Sequence, residues 1–331
     1  MNLQILSAGL GTRLKPITEK IPKPALPILN VPMFFYSLHY FDKKNFNNIV
    51  VNTFHLENEL QKTLSKFDPD LKFVSDGKEV LGTGGGIESV RPSLEGDDYF
   101  WVANGDCVFL SDDNFVELAE KNHKLKKPIA TLVVMEHPDV GTKFGGVWVD
   151  NEDRVLDIGK TKPANATKGY HFTGFRILSD EIFKFLPQGP SELFDSLKTA
   201  MREGHQVHIY KTTGHFFETG NQKDFLDCTK SVLRFLKEKR YSNFLTSLLK
   251  KYTPESRLND LSIDLKLPPH DNLEYLFVDK NFTLFNDCTL EGFLVVGKNA
   301  VIKERCSLKN VVILDDQIIA ENSEISDTII F

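Results

Sequence analysis

The chain has 331 residues, more than one compact core usually holds, so a large domain with a smaller module is expected. Its 41% hydrophobic and 26% charged residues describe an ordinary globular protein, and a formal net charge of −6 argues against a nucleic-acid binder, which needs a basic excess. The cysteines Cys107, Cys228, Cys288 and Cys306 fall in no metal or redox spacing, the N-terminus has no secretory pattern, and no run approaches the roughly 20 apolar residues of a bilayer span, so a cytoplasmic protein with reduced thiols is expected.

The first two-thirds alternate short apolar runs with amphipathic ones. Residues 3–6, 49–53, 71–74, 99–102 and 129–135 read as strands, and 33–44, 55–67, 86–92 and 114–124 as helices. Such alternation predicts an α/β fold, a mostly parallel twisted sheet with helices on both faces, whose ligands collect beyond the strands' carboxyl ends. The 26 phenylalanines against 2 tryptophans read as core filling. From 221 to 252 the pattern is long helix, and its basic run reads as a solvated face. Residues 253–272, with Pro254, Pro268 and Pro269, read as a linker.

The last fifty residues carry a period of six, through Val278, Leu284, Leu290, Val296, Ile302, Leu308, Leu314 and Ala320. A second row, from Phe282 through Cys288, Leu294, Ala300, Cys306 and Val312 to Ile318, follows four residues behind. This predicts a parallel β-helix of about 18 residues per coil and two to three coils. So short a stack needs support from the main domain or from a second copy of the chain. The expected divisions are 1–230 for a catalytic domain, 231–275 for a helical segment and linker, and 276–331 for the β-helix.

The first strand runs into Ser7, Ala8, Gly9, Leu10, Gly11, Thr12 and Arg13. Two glycines two apart let backbone N–H groups approach phosphate oxygens. Leu14 stands where the dinucleotide fingerprint needs its third glycine, and the Gly-Lys-Ser/Thr of a P-loop is absent. Farther on, Pro22 and Pro24 flank Lys23 and are expected to hold it in extended backbone. The strand at 99–102 ends in Asn104, Gly105 and Asp106, a pattern shared by turn formers, helix caps and metal ligands.

Taken together, Gly9, Gly11, Thr12, Arg13, Leu14, Pro16, Thr18 and the Pro22-Lys23-Pro24 segment with Pro27 resemble the signature of the sugar-1-phosphate nucleotidyltransferases, or NDP-sugar pyrophosphorylases. The resemblance extends over 1–230 and implies a Rossmann-like nucleotidyltransferase domain, often followed by a left-handed β-helix. It implies Mg²⁺ as cofactor, held by Asp106 and by Glu218, which stands where the family usually has Asp. It gives Arg13 the leaving phosphates, Lys23 the reacting phosphate, and the nucleotide to Ala8, Gly9, Gly11 and Thr12, with Gly82, Thr83 and Gly84 opposite. Gly145, Lys162, Thr173 and Gly174 are implied on the sugar-phosphate side. Thr161 replaces the usual glutamate there, so the sugar's hydroxyl pattern does not carry over.

The glycine run at 84–86 is closer to that of bacterial mannose-1-phosphate guanylyltransferases and N-acetylmuramate-1-phosphate uridylyltransferases than to that of thymidylyl enzymes. The expected reaction joins a nucleoside monophosphate from an NTP, GTP or UTP, to a sugar 1-phosphate and releases pyrophosphate. Three alternatives stand beside it: a regulatory nucleotide-sugar-binding homologue, a cytidylyltransferase acting on another phosphate, and a pyridine-nucleotide oxidoreductase. Self-association through the β-helix or the 222–252 helix is a further possibility.

Overall fold

The structure, a computed structural model, describes residues 1–253, 272–279 and 281–331. The strand Asn2–Leu6 lies inside a nine-stranded sheet, third from one edge, parallel to Asn48–Thr53 on one side and Tyr99–Asn104 on the other. Lys72–Ser75 extends it in the same sense. Beyond Tyr99–Asn104 the sheet turns mixed: the long strand Lys168–Ser179 is antiparallel to it and also pairs with Ala130–Met135 and Gly146–Val149. Both faces are covered, so the polar side chains of the central strands are buried too, and Gln4 Nε2 donates to Gly86 O at 2.6 Å. Trp101 and Ala103 face one buried cluster, Phe100 and Val102 the other.

Several helices differ from their sequence-based bounds. The first covers only Met33–Leu38, because Asp42 caps a separate 3₁₀ turn at Lys43–Asn45. The next glycine run is itself helical, Gly82–Glu88, and Pro92 opens a new turn at Arg91–Leu94. That helix packs through its backbone: a Cβ on Gly84 would lie 2.7 Å from Ser191 Oγ, and one on Gly86 2.8 Å from Asn52 Nδ2. A glycine surface has no apolar periodicity to read. The helix expected over 221–252 divides into Gln222–Lys237 and Ser242–Tyr252, with Lys239 and Tyr241 left-handed between them. The second half folds back on the first helix, where Phe244 stacks on Tyr40 at 4.5 Å and Tyr252 meets Phe35 at 4.4 Å. The expected division at 230 falls inside Gln222–Lys237, and of the expected linker, 254–271 lies outside the described residues.

The C-terminal strands form stacked parallel coils. Asn272–Val278, Thr289–Val296, Ser307–Ile313 and Glu324–Ile330 make one face, and Thr283–Leu284, Val301–Ile302 and Ile318–Ile319 a second. The six-residue period holds through Leu308, which lies beside Leu290 eighteen positions earlier. It then slips by one. Ser307–Ile313 has one residue fewer across the kink that Gly292 makes in its neighbour, so Leu294 pairs with Val311. Val311 and Ile313 therefore fill the β-helix interior, and Ile319 replaces the expected Ala320, which is exposed. Ile318, assigned to the second apolar row, is 65% exposed.

The opposite side of the four-stranded face is apolar as well. Phe277, Phe293, Val295, Val312 and Ile329 join the same buried cluster as Phe225 and Val232 of the helix Gln222–Lys237. One face of the β-helix thus packs on the helix Gln222–Lys237 within the chain.

Candidate active site

The carboxyl ends of Asn2–Leu6 and Tyr99–Asn104 lie side by side, with Leu6 opposite Asn104. Past the first, Ser7 N–H donates to Asn52 Oδ1 at 3.1 Å, which anchors the start of the loop. Gly11 is left-handed at φ 61, and a Cβ there would lie 2.9 Å from Thr18 Cγ2 and 3.2 Å from Lys23 Cβ, so the turn requires glycine. Gly9 differs: a Cβ there would meet nothing within 4 Å. Its bare backbone leaves the cleft open to a ligand.

Pro22 is extended, but Lys23 begins a 3₁₀ turn, Lys23–Ala25, instead of continuing the extended chain expected for it. Ala25 N–H bonds Pro22 O at 2.8 Å and Leu26 N–H bonds Lys23 O at 3.1 Å. Pro24 sits at the start of that turn, where no donor is needed. The turn aims Lys23 at the end of the neighbouring strand, where Nζ lies 2.9 Å from Asp106 Oδ2. Burial opposes the ammonium, yet Asp106, Cys107 and Glu218 outweigh it and raise the Lys23 pKa above its usual value.

A hairpin brings in the second carboxylate. Val108–Leu110 pairs antiparallel with His215–Phe217, Phe217 against Val108, so Asp106 and Glu218 flank the same end of it. Thr219 Oγ1 donates to Asp106 O at 3.3 Å. A Cβ on Gly220 would lie 2.7 Å from Arg13 Cζ, so the guanidinium of Arg13 rests against this segment. Arg13, Lys23, Asp106 and Glu218 therefore converge from four parts of the sequence.

Ala8, Gly9, Lys23, Gly82, Thr83 and Asp106 line one cleft of about 290 Å³. Gly84 lies just outside, its N–H bonded to Ser191 O at 2.8 Å, and Gly11 and Thr12 lie in the adjoining turn. A second cleft of about 350 Å³ contains Gly145 and Gly174 and shares Asn104 with the first. Gly174, at φ 94, makes the bulge where the register between Lys168–Ser179 and Ala130–Met135 shifts, and it turns the backbone toward Asn104 and Cys107. The other two sugar-side residues stand apart. Thr173 is fully buried with its hydroxyl on Val133 O at 2.8 Å, and Lys162 is exposed with Nζ 3.2 Å from Thr167 O.

The family described as Nucleotidyl transferase matches residues 4–234. The chain belongs to that family. It is 30% identical over 243 residues to the bifunctional protein GlmU of Methanococcus aeolicus, covering 72% of this chain and 56% of that one. It is 31% identical over 255 residues to a UTP–glucose-1-phosphate uridylyltransferase of Synechocystis, covering 70% and 63%. The chain thus spans about three-fifths of the length of these relatives. Among solved structures, HddC of Yersinia pseudotuberculosis superposes with a TM-score of 0.57 at 23% identity, over 70% of this chain and 99% of that one, which shows the shared fold.

Sequence reasoning missed two cleft residues of this nucleotidyl transferase domain. Asn52 holds Ser7 on one side and Asp76 on the other, donating to the carboxylate at 3.0 Å. Glu192 accepts from Thr83 Oγ1 at 2.7 Å and lines the first cleft. Asn52 sits near a strand end, as Asp106 does, so listing polar residues at the ends of expected strands would have found it.

The residues present fit a magnesium ion. Among the described residues no three His, Cys, Asp or Glu side chains cluster as a metal cage. Mg²⁺ needs no cage, since it takes one or two carboxylates and completes its shell with phosphate and water oxygens. Asp106, 38% exposed at the cleft, and Glu218 supply that number.

Proposed function

We propose that this cleft transfers a nucleoside monophosphate from an NTP to a sugar 1-phosphate, releasing pyrophosphate. The observation that carries the reading is the Lys23–Asp106 pair, set between the open Gly9 loop and the Gly82–Thr83 turn with Arg13 against Gly220. A phosphate oxygen of the sugar substrate attacks the α-phosphorus, the new P–O bond forms, and the bond to pyrophosphate breaks. The nucleophile is already ionised at neutral pH, so the barrier is charge crowding, and positioned cations lower it.

Lys23 meets the α-phosphate and Arg13 the departing pyrophosphate. Asp106 and Glu218 would hold Mg²⁺, which supplies positive charge shared between the phosphates. The cleft past Asn104, with Gly145 and Gly174, receives the sugar. GTP and UTP are the favoured nucleotides, and the cytoplasm the expected compartment. No described helix is long and apolar enough to cross a membrane.

The test is pyrophosphate release from five NTPs crossed with glucose, mannose, heptose and N-acetylated sugar 1-phosphates, with and without Mg²⁺. Release by one pairing, abolished by chelation, is the expected result. Silence across the panel sinks the reading.

A further inference from the structure

Among the described residues, one charged side chain beneath the two clefts lacks a hydrogen-bond partner for two of its nitrogens. Arg176 is 2% exposed, and its Nε and Nη2 are buried without a hydrogen bond. It leaves the strand Lys168–Ser179 two residues after Gly174 and pairs with Val102, two residues before Asn104. Its guanidinium lies 5.4 Å from the centre of the Phe172 ring, a wall of the second cleft. Burial pulls its pKa down to about 10, and the nearby Cys107 and Glu192 restore part of the loss. It is still a cation at neutral pH. Cys107 lines the second cleft and Glu192 the first, so the unpaired charge sits under the place where the clefts meet.

A buried cation without a counter-ion is costly, and native proteins keep one only where something else compensates for it. The usual candidates are absent here. Cys107 supplies a thiol, whose Sγ lies 3.8 Å from Asn104 Nδ2. The Glu192 carboxylate is engaged by Thr83. Lys162, to which the family resemblance gives the sugar phosphate, lies exposed and bonded to Thr167 O instead of in either cleft.

We propose that Arg176 is the counter-charge for the phosphate of the sugar substrate, a positioning residue acting through the floor made by Asn104, Cys107 and Gly174. The inference rests on the transferase reading. Its substrate class is a dianionic sugar phosphate, whose negative charge balances the buried guanidinium. A neutral sugar gains nothing from it.

The experiment compares the full chain with Arg176→Met and Arg176→Lys. Steady-state kinetics give kcat/KM for the sugar 1-phosphate and KM for the NTP. Melting midpoints are read with and without α-D-glucose 1-phosphate, α-D-mannose 1-phosphate and the free sugars. In Arg176→Met, kcat/KM for the sugar phosphate should fall at least about tenfold, KM for the NTP should move less than about threefold, and Arg176→Lys should recover most of the loss. The unliganded Met variant should melt no lower than wild type, because an unpaired buried charge has been replaced by an apolar chain. Its stabilisation by sugar phosphate should shrink.

A lower unliganded midpoint with equal loss toward both substrates would assign Arg176 to structure alone and overturn the proposal. So would an unchanged kcat/KM in Arg176→Met, or a tenfold loss found only in Lys162→Ala. If wild type turns over no sugar phosphate, the transferase reading fails. The melting comparison still decides whether Arg176 answers to phosphate.

Discussion

Lys23 Nζ lies 2.9 Å from Asp106 Oδ2, across 83 positions of sequence, with the lysine 13% and the aspartate 38% exposed. Each end needs the other, because the ammonium is sealed in and the carboxylate faces the cleft. Asp106→Asn should therefore cut pyrophosphate release by about 100-fold or more, the scale of losing one preorganised electrostatic group. Folding stability should fall by about 3 kcal/mol, because the largely buried Lys23 ammonium loses its counter-ion. Parallel turnover and urea titrations check this. A folded Asp106→Asn protein with full turnover removes Asp106 from the chemistry.

The same pair sets an alkaline limit. Burial disfavours charge on Lys23, but Asp106, Cys107 and Glu218 prevail, so its folded pKa lies above the unfolded 10.5. A raised pKa means the native state holds the proton more tightly. The stabilisation is then complete below pH 10.5 and is lost as pH rises through the folded value. Urea midpoints from pH 9 to 11.5 should decline less steeply in Asp106→Asn than in wild type. Equal slopes would show that Asp106 does not hold the Lys23 proton.

Gly220 tests the reach of Arg13. A methyl group there would come within 2.7 Å of Arg13 Cζ and 2.9 Å of Nη1, and the guanidinium would have to leave. Gly220→Ala should lower kcat/KM for the NTP about 10- to 100-fold, as expected when a charged group is displaced by about an ångström. Arg13 is exposed, so the fold has little at stake and the melting midpoint should hold within a few degrees. A loss of stability without a kinetic effect would place the contact in the scaffold.

What could be read from the sequence was local. Gly9, Gly11, Lys23 and Asp106 sit in short patterns whose chemistry depends on neighbours a few residues away. Glu192 is unremarkable in its own segment, and long-range packing alone makes it part of the cleft, whereas Asn52 stands near the end of an expected strand. The glycine helix Gly82–Glu88 was opaque because its contacts are backbone contacts. The β-helix was legible until the coil containing Ser307–Ile313 lost one residue, after which counting by six pointed at Ala320 instead of Ile319. Period counting assumes equal coils, and the bulge at Gly292 breaks that assumption.

Two buried histidines, His123 and His171, and the half-buried His39 should make the fold sensitive to mild acid. Burial lowers His39, His123 and His171 from 6.5 to about 4, with Lys251 adding to the effect at His39, Glu120 opposing it at His123, and His137 adding to it at His171. The unfolded chain binds these protons first, so stability should fall as pH drops below 6.5 and level off near 4. His123 is the cleanest probe, since its Nδ1 meets Thr131 Oγ1 at 2.9 Å, well away from the clefts. Replacing it by Gln should flatten the decline in urea midpoint between pH 6.5 and 4.5. A wild-type midpoint that does not change over that range contradicts the assignment.

The β-helix should be held to the catalytic domain by its apolar face and not by its charges. Phe293 is 2% exposed, in one cluster with Phe225 and Val232, whereas the Lys230–Glu274 pair at 3.0 Å lies in solvent. Phe293→Ala should cost about 3 kcal/mol or more in urea unfolding, and Lys230→Ala less than about 1 kcal/mol. The β-helix also touches the loop that carries Lys23: Asn30 Nδ2 donates to Val296 O at 3.1 Å, and Lys20 lies 5.2 Å from the centre of the Phe331 ring. Loosening the dock should therefore raise KM for the NTP in Phe293→Ala and leave it unchanged in Lys230→Ala. If Phe293→Ala is as stable as wild type, the two units do not pack through this face in solution, and the support that the Lys23 turn draws from Val296 and Phe331 is lost with it.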